Sequence, residues 1–115
     1  MATIAQPGDV VLVRFPFTDL SAAKLKPALV LATHGDDLTI VGIFSGSPQP
    51  RRATWIFLSS RDPAFSQTGL KTNSVIKAER IAVIERSVLV RKLGSLPPSQ
   101  MEEVKRAVKL ALNLD

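Results

Sequence analysis

The sequence predicts a mainly β protein with one amphipathic helix at its C-terminus. Short runs of β-branched and aromatic residues recur over the first two thirds of the chain, as strands require. Clusters of glycine, proline, serine and aspartate separate these runs, which is the spacing of a small barrel or sandwich. The 115 residues are enough for one modest core, so we expect a single domain over residues 1–115.

The predicted strands are apolar runs at residues 10–17, 28–32, 39–44, 53–58, 74–78, 81–84 and 88–90. Pro16 has no amide proton for a sheet, so the first strand ends there or lies at an edge. Gly35 lies in the polar segment 34–37, which is typical of a hairpin turn. Trp55 and Phe57 alternate along one strand and share a face. We interpret that face as core or dimer interface rather than as a platform for stacking bases.

Three connections, at residues 18–26, 46–52 and 59–73, are predicted to be exposed, and the last is long enough to suggest a functional loop. The final segment is predicted to be a helix. Ser99 and Glu102 match a capping box, in which the serine hydroxyl accepts a hydrogen bond from the amide near Glu102. Apolar residues then recur at helical spacing and predict one buried stripe, formed by Met101, Val104, Val108, Ala111 and Leu112.

Composition excludes several kinds of site. The chain has no cysteine, which excludes disulfides, thiolate zinc sites and cysteine nucleophiles. A single histidine, His34, excludes a multi-histidine metal site, and its position indicates a turn rather than acid–base catalysis. Signatures of phosphate-binding loops, zinc proteases and serine hydrolases are missing, so we expect neither metal nor cofactor. The sequence shows no signal peptide and no membrane-spanning run, and we expect a cytoplasmic protein.

Positive charge is concentrated in the later part of the chain. Residues 1–48 carry a net charge of −1 and residues 49–115 a net charge of +6. Such an excess attracts polyanions, nucleic acid first, although an acidic protein would fit equally well. RNA can be cleaved without a metal because its 2′-hydroxyl is a built-in nucleophile. That chemistry needs a base, an acid and a cation for the phosphorane, which composition alone does not identify.

Three blocks of the sequence resemble the MazF/PemK family of toxin ribonucleases. The first comprises residues 8–13, 15–19 and 26–31, the second residues 74–81, and the third residues 93–96 before the final helix. The resemblance implies an SH3-like barrel of the MazF/CcdB type with a C-terminal helix, and a homodimer. It also implies metal-independent cleavage of single-stranded RNA and inhibition by an antitoxin protein.

The resemblance implies four catalytic positions in this sequence. Lys26 stands before a proline, where the family usually has arginine, and Ser45 follows the next strand pair. Lys77 and Glu79 form a basic–x–acidic element. Lysine is a point charge, whereas arginine grips two phosphate oxygens at once. Lys26 therefore favours an alternative, a relative that binds antitoxin, RNA or another protein without cutting; a poison of gyrase is a weaker third possibility.

Further residues are candidates for RNA contacts because they lie in the predicted loops near these positions. They are Thr18, Asp19, Lys24, Arg51 and Arg52. Each has a plainer interpretation as turn chemistry or as a solvated charge.

Overall fold

The computed structural model describes residues 5–15 and 24–114. Within these ranges the chain forms one antiparallel sheet, two short 3-10 helices and one α-helix. The strands are β1 (Asp9–Phe15), β2 (Lys24–His34), β3 (Asp37–Ser45), β4 (Trp55–Leu58), β5 (Ser74–Glu85) and β6 (Leu89–Ser95). The 3-10 helices are Phe65–Thr68 and Arg86–Val88, and helix α1 is Pro98–Ala111. The prediction of a mainly β fold with a C-terminal helix is confirmed.

The sheet is curled but not closed. Its order is β4-β5-β3-β2-β1-β6, so β4 and β6 are its edges in the described part of the chain. Register shifts in the β1–β6, β2–β3 and β3–β5 pairs bend the sheet toward a barrel. The predicted hairpin turn joins β2 to β3, with Gly35 at a φ of 60°. No helix within residues 5–15 and 24–114 is long and apolar enough to cross a membrane.

The segment between β4 and β5 packs tightly against the edge strand β6. A Cβ added at Gly69 would lie 2.1 Å from the carbonyl oxygen of Leu93, and one at Gly94 would lie 2.2 Å from that of Gln67. Gly69 also has a φ of 74°, which favours glycine. Two glycines therefore allow this segment and β6 to come into backbone contact at an edge that no ladder closes within the described residues.

Strand β5 is one continuous strand, although the sequence predicts two. Val41 of β3 pairs with Ile81, but the next residue, Gly42, pairs with Lys77. Residues 78–80 thus form a bulge that leaves the β3–β5 ladder. This bulge presents Glu79 and Arg80 beside the sheet.

Apolar residues fill both faces of the sheet, which explains strands that are apolar on both sides. One cluster packs under helix α1 and contains Val10, Leu29, Val41, Ile43, Leu58, Ile76, Leu96, Met101 and Val104. The other contains Ala5, Val11, Val13, Ala28, Val30, Leu38, Ile40 and Ile84. Full burial of each larger side chain contributes about 1.5 to 3 kcal/mol to stability.

The prediction of a capping box at Ser99 is wrong. Helix α1 begins at Pro98, its N-cap is Pro97, and no side chain caps it. Proline suits the first helical position because its φ is already helical and its missing amide proton would have no partner there. Ser99 therefore lies inside the helix, and Glu102 contacts Lys105 at 3.5 Å instead.

Candidate functional site

A cavity of about 620 Å³ opens where β2 begins and β3 ends. Lys26 and Pro27 line it from β2, and Phe44 and Ser45 line it from β3. Lys26 is half-buried and Ser45 is exposed. Lys26 and Ser45, which were predicted to act together, thus line one cavity although they are nineteen positions apart in the sequence. We call it the Lys26 cavity.

Local chain geometry explains how Ser45 reaches this cavity. Ser45 pairs with Ser74 at the last position of the β3–β5 ladder. Gly46 follows with a φ of 97°, and its amide donates a hydrogen bond to the carbonyl of Asn73 at 2.8 Å. Glycine adopts this left-handed conformation easily, so the chain turns away directly after Ser45 and leaves its side chain at the cavity mouth.

A second cavity of about 320 Å³ adjoins the first and shares Lys26 and Phe44 with it. Arg80 lines this cavity, so a second cation faces the same region. Gly42 makes room for the aromatic ring, because a Cβ there would lie 2.9 Å from the ring of Phe44. Arg80 was not predicted from the sequence, since nothing in the residue pattern indicates the bulge that carries it.

Glu79 is held by three neighbours on the β4 side. The hydroxyl of Thr54 and the indole Nε1 of Trp55 donate hydrogen bonds to its two carboxylate oxygens, and Arg52 lies 3.5 Å away. Burial raises the pKa of Glu79, but the hydrogen bonds from Thr54 and Trp55, a backbone hydrogen bond and the charge of Arg52 outweigh it. The pKa of Glu79 therefore lies below its ordinary value.

Lys77 lies between two aromatic rings. Its Nζ is 4.7 Å from the centroid of Phe44 and 4.7 Å from that of Trp55. Lys77 is half-buried, so each contact contributes about 0.5 to 2 kcal/mol. The lysine thereby connects the ring next to the Lys26 cavity with the ring on β4.

The two predicted RNA-binding arginines also contact rings. The guanidinium of Arg51 lies 4.2 Å from the centroid of Phe57, and that of Arg52 lies 5.2 Å from the centroid of Trp55. Trp55 and Phe57 contact each other edge to face at 6.3 Å. We call this set the aromatic face; its members are Phe44, Trp55, Phe57, Lys77, Arg51 and Arg52.

The aromatic face lies outside both hydrophobic clusters. Trp55, Phe57 and Phe44 are half-buried rather than buried. Trp55 and Phe57 therefore do not belong to the core, and their place in a dimer interface stays a prediction. Alternation along the strand correctly puts both rings on one face, but it does not reveal whether that face is covered.

Register relates the aromatic face to the Lys26 cavity. Gly42 is the cross-strand partner of Ala28 on β2 and of Lys77 on β5, and Lys77 is the partner of Trp55 on β4. Cross-strand partners share a face, as do residues two apart, so Lys26 and Phe44 lie on the face of Lys77 and Trp55. This face thus carries Lys26 at one end and Lys77, with its neighbours Glu79, Arg51 and Arg52, toward the other. Ser45 follows Phe44 directly and lines the Lys26 cavity from the end of β3.

Lys24 is exposed at the start of β2, opposite Phe15. It lies two residues before Lys26, so it is on the same face. Thr18 and Asp19, which were also predicted to contact RNA, lie outside the described residues.

Comparisons with known proteins agree on one fold. A family model of the PemK-like, MazF-like toxin of type II toxin–antitoxin systems matches residues 6–112. No curated protein matches the chain. Three similar solved structures are an endoribonuclease in complex with its cognate antitoxin from Mycobacterial species, the Mycobacterium tuberculosis toxin MazF-mt6, and MazF from Deinococcus radiodurans.

These structures align over nearly their whole length. The mycobacterial endoribonuclease is 20% identical with a TM-score of 0.75, over 97% of this chain and 98% of that chain. MazF-mt6 is 21% identical with a TM-score of 0.73, over 93% and 98%. The Deinococcus protein is 18% identical with a TM-score of 0.74, over 96% and 98%. The expected MazF-like fold is confirmed.

Proposed function

The chain belongs to the PemK-like, MazF-like toxin family of type II toxin–antitoxin systems, and from that membership we propose that it is an endoribonuclease that cleaves single-stranded RNA without a metal ion. The observation that carries this proposal is the presence of Lys26 and Ser45 in one cavity. A cation and a hydroxyl that face the same space are the groups that a charged phosphorane needs.

In the proposed reaction the 2′-oxygen of a nucleotide attacks the adjacent phosphorus. The new P–O2′ bond forms as the P–O5′ bond breaks, which leaves a 2′,3′-cyclic phosphate and a 5′-hydroxyl. One proton leaves the 2′-hydroxyl and one arrives at the departing 5′-oxygen, so no water is consumed. Each transfer needs a positioned acid or base.

Lys26 stabilises the additional negative charge of the phosphorane in this scheme. The hydroxyl of Ser45 donates a hydrogen bond to a phosphate oxygen and fixes its orientation. Arg80, which faces the neighbouring cavity together with Lys26, supplies a second charge. Lys26 and Arg80 together then provide the positive charge on the phosphorane that a single bidentate arginine provides where the family has arginine.

Glu79 is the proposed proton acceptor, and Lys77 orients the phosphate beside it. Glu79 is ionised at neutral pH, as a base requires, and its lowered pKa makes it a weaker base than an ordinary carboxylate. Glu79 lies on the bulge of β5, whereas Lys26 lies on β2, so β3 lies between them. We propose that a nucleotide lies over Phe44 of β3 with its ribose between them, since Phe44 lines the Lys26 cavity and also contacts Lys77 of β5.

Flanking RNA is proposed to follow the basic residues around this centre. Lys24 contacts phosphate on the β2 side, and Arg51 and Arg52 contact it on the β4 side. Thr18 and Asp19 are proposed to complete the groove. Single-stranded RNA is recognised through splayed bases and phosphates, which such a groove accepts.

Partners follow from the same family membership. Because the mycobacterial endoribonuclease of similar fold forms a complex with its cognate antitoxin, we propose that an antitoxin inhibits this chain too. An acidic, disordered segment that folds on binding suits the basic groove. We further propose a homodimer of one toxin domain per chain, spanning residues 1–115, that acts in the cytoplasm.

The test is cleavage of a mixed-sequence RNA in excess EDTA, followed by mapping of the new ends. Cyclic phosphates and 5′-hydroxyls that disappear in Lys26→Ala support the proposal. Lys105→Ala is the matched control, because Lys105 is exposed on α1 and contacts only Glu102 among the interactions described. The lysine at position 26 favours a second candidate, a non-cutting relative, and binding of intact RNA in this assay would identify it.

A further inference from the structure

Three aromatic rings of the aromatic face are partly exposed, and the cations that lie over them are side chains that a ligand can rearrange. Phe44, Trp55 and Phe57 belong to neither hydrophobic cluster and are only half-buried. Large aromatic side chains normally contribute their area to a core or to an interface. Aromatic side chains that remain partly exposed on one face of the sheet therefore indicate a binding surface.

The charges around these rings select the kind of ligand. Lys77 contacts Phe44 and Trp55, while Arg51 and Arg52 each lie over one ring. The carboxylate found beside these cations within residues 24–114 is Glu79, and Arg52, Thr54 and Trp55 already engage it. The face thus offers three cations interleaved with aromatic surfaces, which complements a chain that alternates phosphates with flat bases.

Glu79 fixes the orientation of the central ring. The hydrogen bond from Trp55 Nε1 ties the indole to the β5 bulge, and the edge-to-face contact with Phe57 supports it from the other side. A ring that is already immobilised loses little conformational entropy when a base stacks on it. Arginine guanidinium planes over such rings extend the stacking surface, because bases stack on guanidinium planes as well.

The aromatic face is continuous with the proposed reaction centre. Phe44 lines the Lys26 cavity, and Lys77 leads from Phe44 to Trp55. From β2 to β4 the sheet order is β2, β3, β5, β4. Three strand spacings amount to about 14 Å, a distance that a few nucleotides of single-stranded RNA span.

We infer that the aromatic face is the subsite that binds the bases flanking the cleaved phosphate, with Trp55 as the main stacking platform. This inference rests on the proposed function, since it takes RNA as the ligand. It assigns to Trp55 and Phe57 substrate affinity and preference for certain bases, and leaves bond cleavage to the Lys26 cavity.

Intrinsic fluorescence tests the inference directly, because Trp55 is the only tryptophan in the sequence. The probe is a short mixed-sequence 2′-O-methyl RNA, which binds but lacks the nucleophile for cleavage. We expect saturable quenching of Trp55 in the wild-type protein. In anisotropy measurements with labelled probe, Trp55→Leu should weaken binding about tenfold or more, and Trp55→Phe should retain most of the affinity.

Phe65→Leu is the matched control, since Phe65 is a half-buried aromatic residue that packs against the core under α1. It should leave affinity unchanged. RNA binding that neither quenches Trp55 nor responds to Trp55→Leu would overturn the inference, even if Lys26-dependent cleavage is intact. A changed oligomeric mass of Trp55→Leu with unchanged RNA affinity would also overturn it, because the face would then be a protein interface. Quenching by the probe without any cleavage of ordinary RNA supports this subsite and instead refutes the proposed ribonuclease.

Discussion

The indole of Trp55 donates its N–H to the carboxylate of Glu79, which ties β4 to the bulge of β5. This bond joins a residue proposed to bind bases to one proposed to move a proton. Thr54 donates to the other oxygen of the same carboxylate. The protonation state of Glu79 and the position of Trp55 are therefore coupled.

Replacing Thr54 by valine should move the pH dependence of cleavage. The hydrogen bond from Thr54 favours the ionised carboxylate, so its loss raises the pKa of Glu79 toward the ordinary value. If Glu79 accepts the proton, the midpoint of the acid limb of the pH–kcat profile should shift to higher pH in Thr54→Val. Thr39→Val, a half-buried threonine on β3, is the control. An unchanged midpoint of the acid limb in Thr54→Val would show that Glu79 is not the proton acceptor.

The same lowered pKa has a consequence for stability. A carboxylate whose pKa is lower in the folded than in the unfolded protein stabilises the fold above the unfolded pKa, and this contribution disappears as the pH falls through the folded pKa. Glu79→Gln should therefore lower stability near neutral pH and have less effect in acid. Urea unfolding at several pH values measures this difference, and a pH-independent difference would contradict it.

Lys26→Arg should raise the cleavage rate. A guanidinium can hold two phosphate oxygens and stays charged, whereas the ammonium of lysine is a point charge. Single-turnover cleavage rates of the two proteins provide the comparison. A lower rate in Lys26→Arg would show that the lysine has a proton-transfer role of its own.

Gly69→Ala should destabilise the fold more than Gly35→Ala. Both glycines have positive φ, so either change carries a backbone cost of about 1 to 2 kcal/mol. Only at Gly69 would the new methyl group lie 2.1 Å from a backbone oxygen, that of Leu93, whereas Gly35 has open space. Urea denaturation of both variants measures the difference, and equal losses of stability would show that the contact between the loop and β6 is not close.

Arg51→Gln and Arg52→Gln should reduce the salt dependence of RNA binding. Each phosphate contact that is lost lowers the slope of log K against log salt by about 0.7 for a single strand. Titrations of the 2′-O-methyl probe at several salt concentrations give that slope. Lys109→Gln, on the exposed surface of α1, should not change it. An unchanged slope in both arginine variants would place these residues off the RNA path.

Apolar runs located all six strands because such runs are local, but they divided β5 into two strands and covered only the start of β6. Gly35 predicted the turn between β2 and β3, and alternation correctly placed Trp55 and Phe57 on one face. The start of α1 was predicted wrongly because Pro98 takes the first helical position, which places Ser99 inside the helix and not at its N-cap.

The parts of the site that were missed depend on contacts between distant residues. Arg80 reaches its cavity through a bulge that only the pairing of β5 with β3 reveals. Glu79 meets Thr54 and Trp55 across β4 and β5, some twenty-five residues apart in the chain. Secondary-structure propensity depends on neighbouring residues in the sequence and so cannot predict contacts between residues on different strands.

The joint action of Lys26 and Ser45 on one phosphate is tested most directly by a double-mutant cycle of cleavage rates. Lys26→Ala and Ser45→Ala should each slow cleavage, and the double variant should be little slower than the worse single variant, because residues that act as a unit are not additive. Rate losses that simply multiply in the double variant would contradict this joint action.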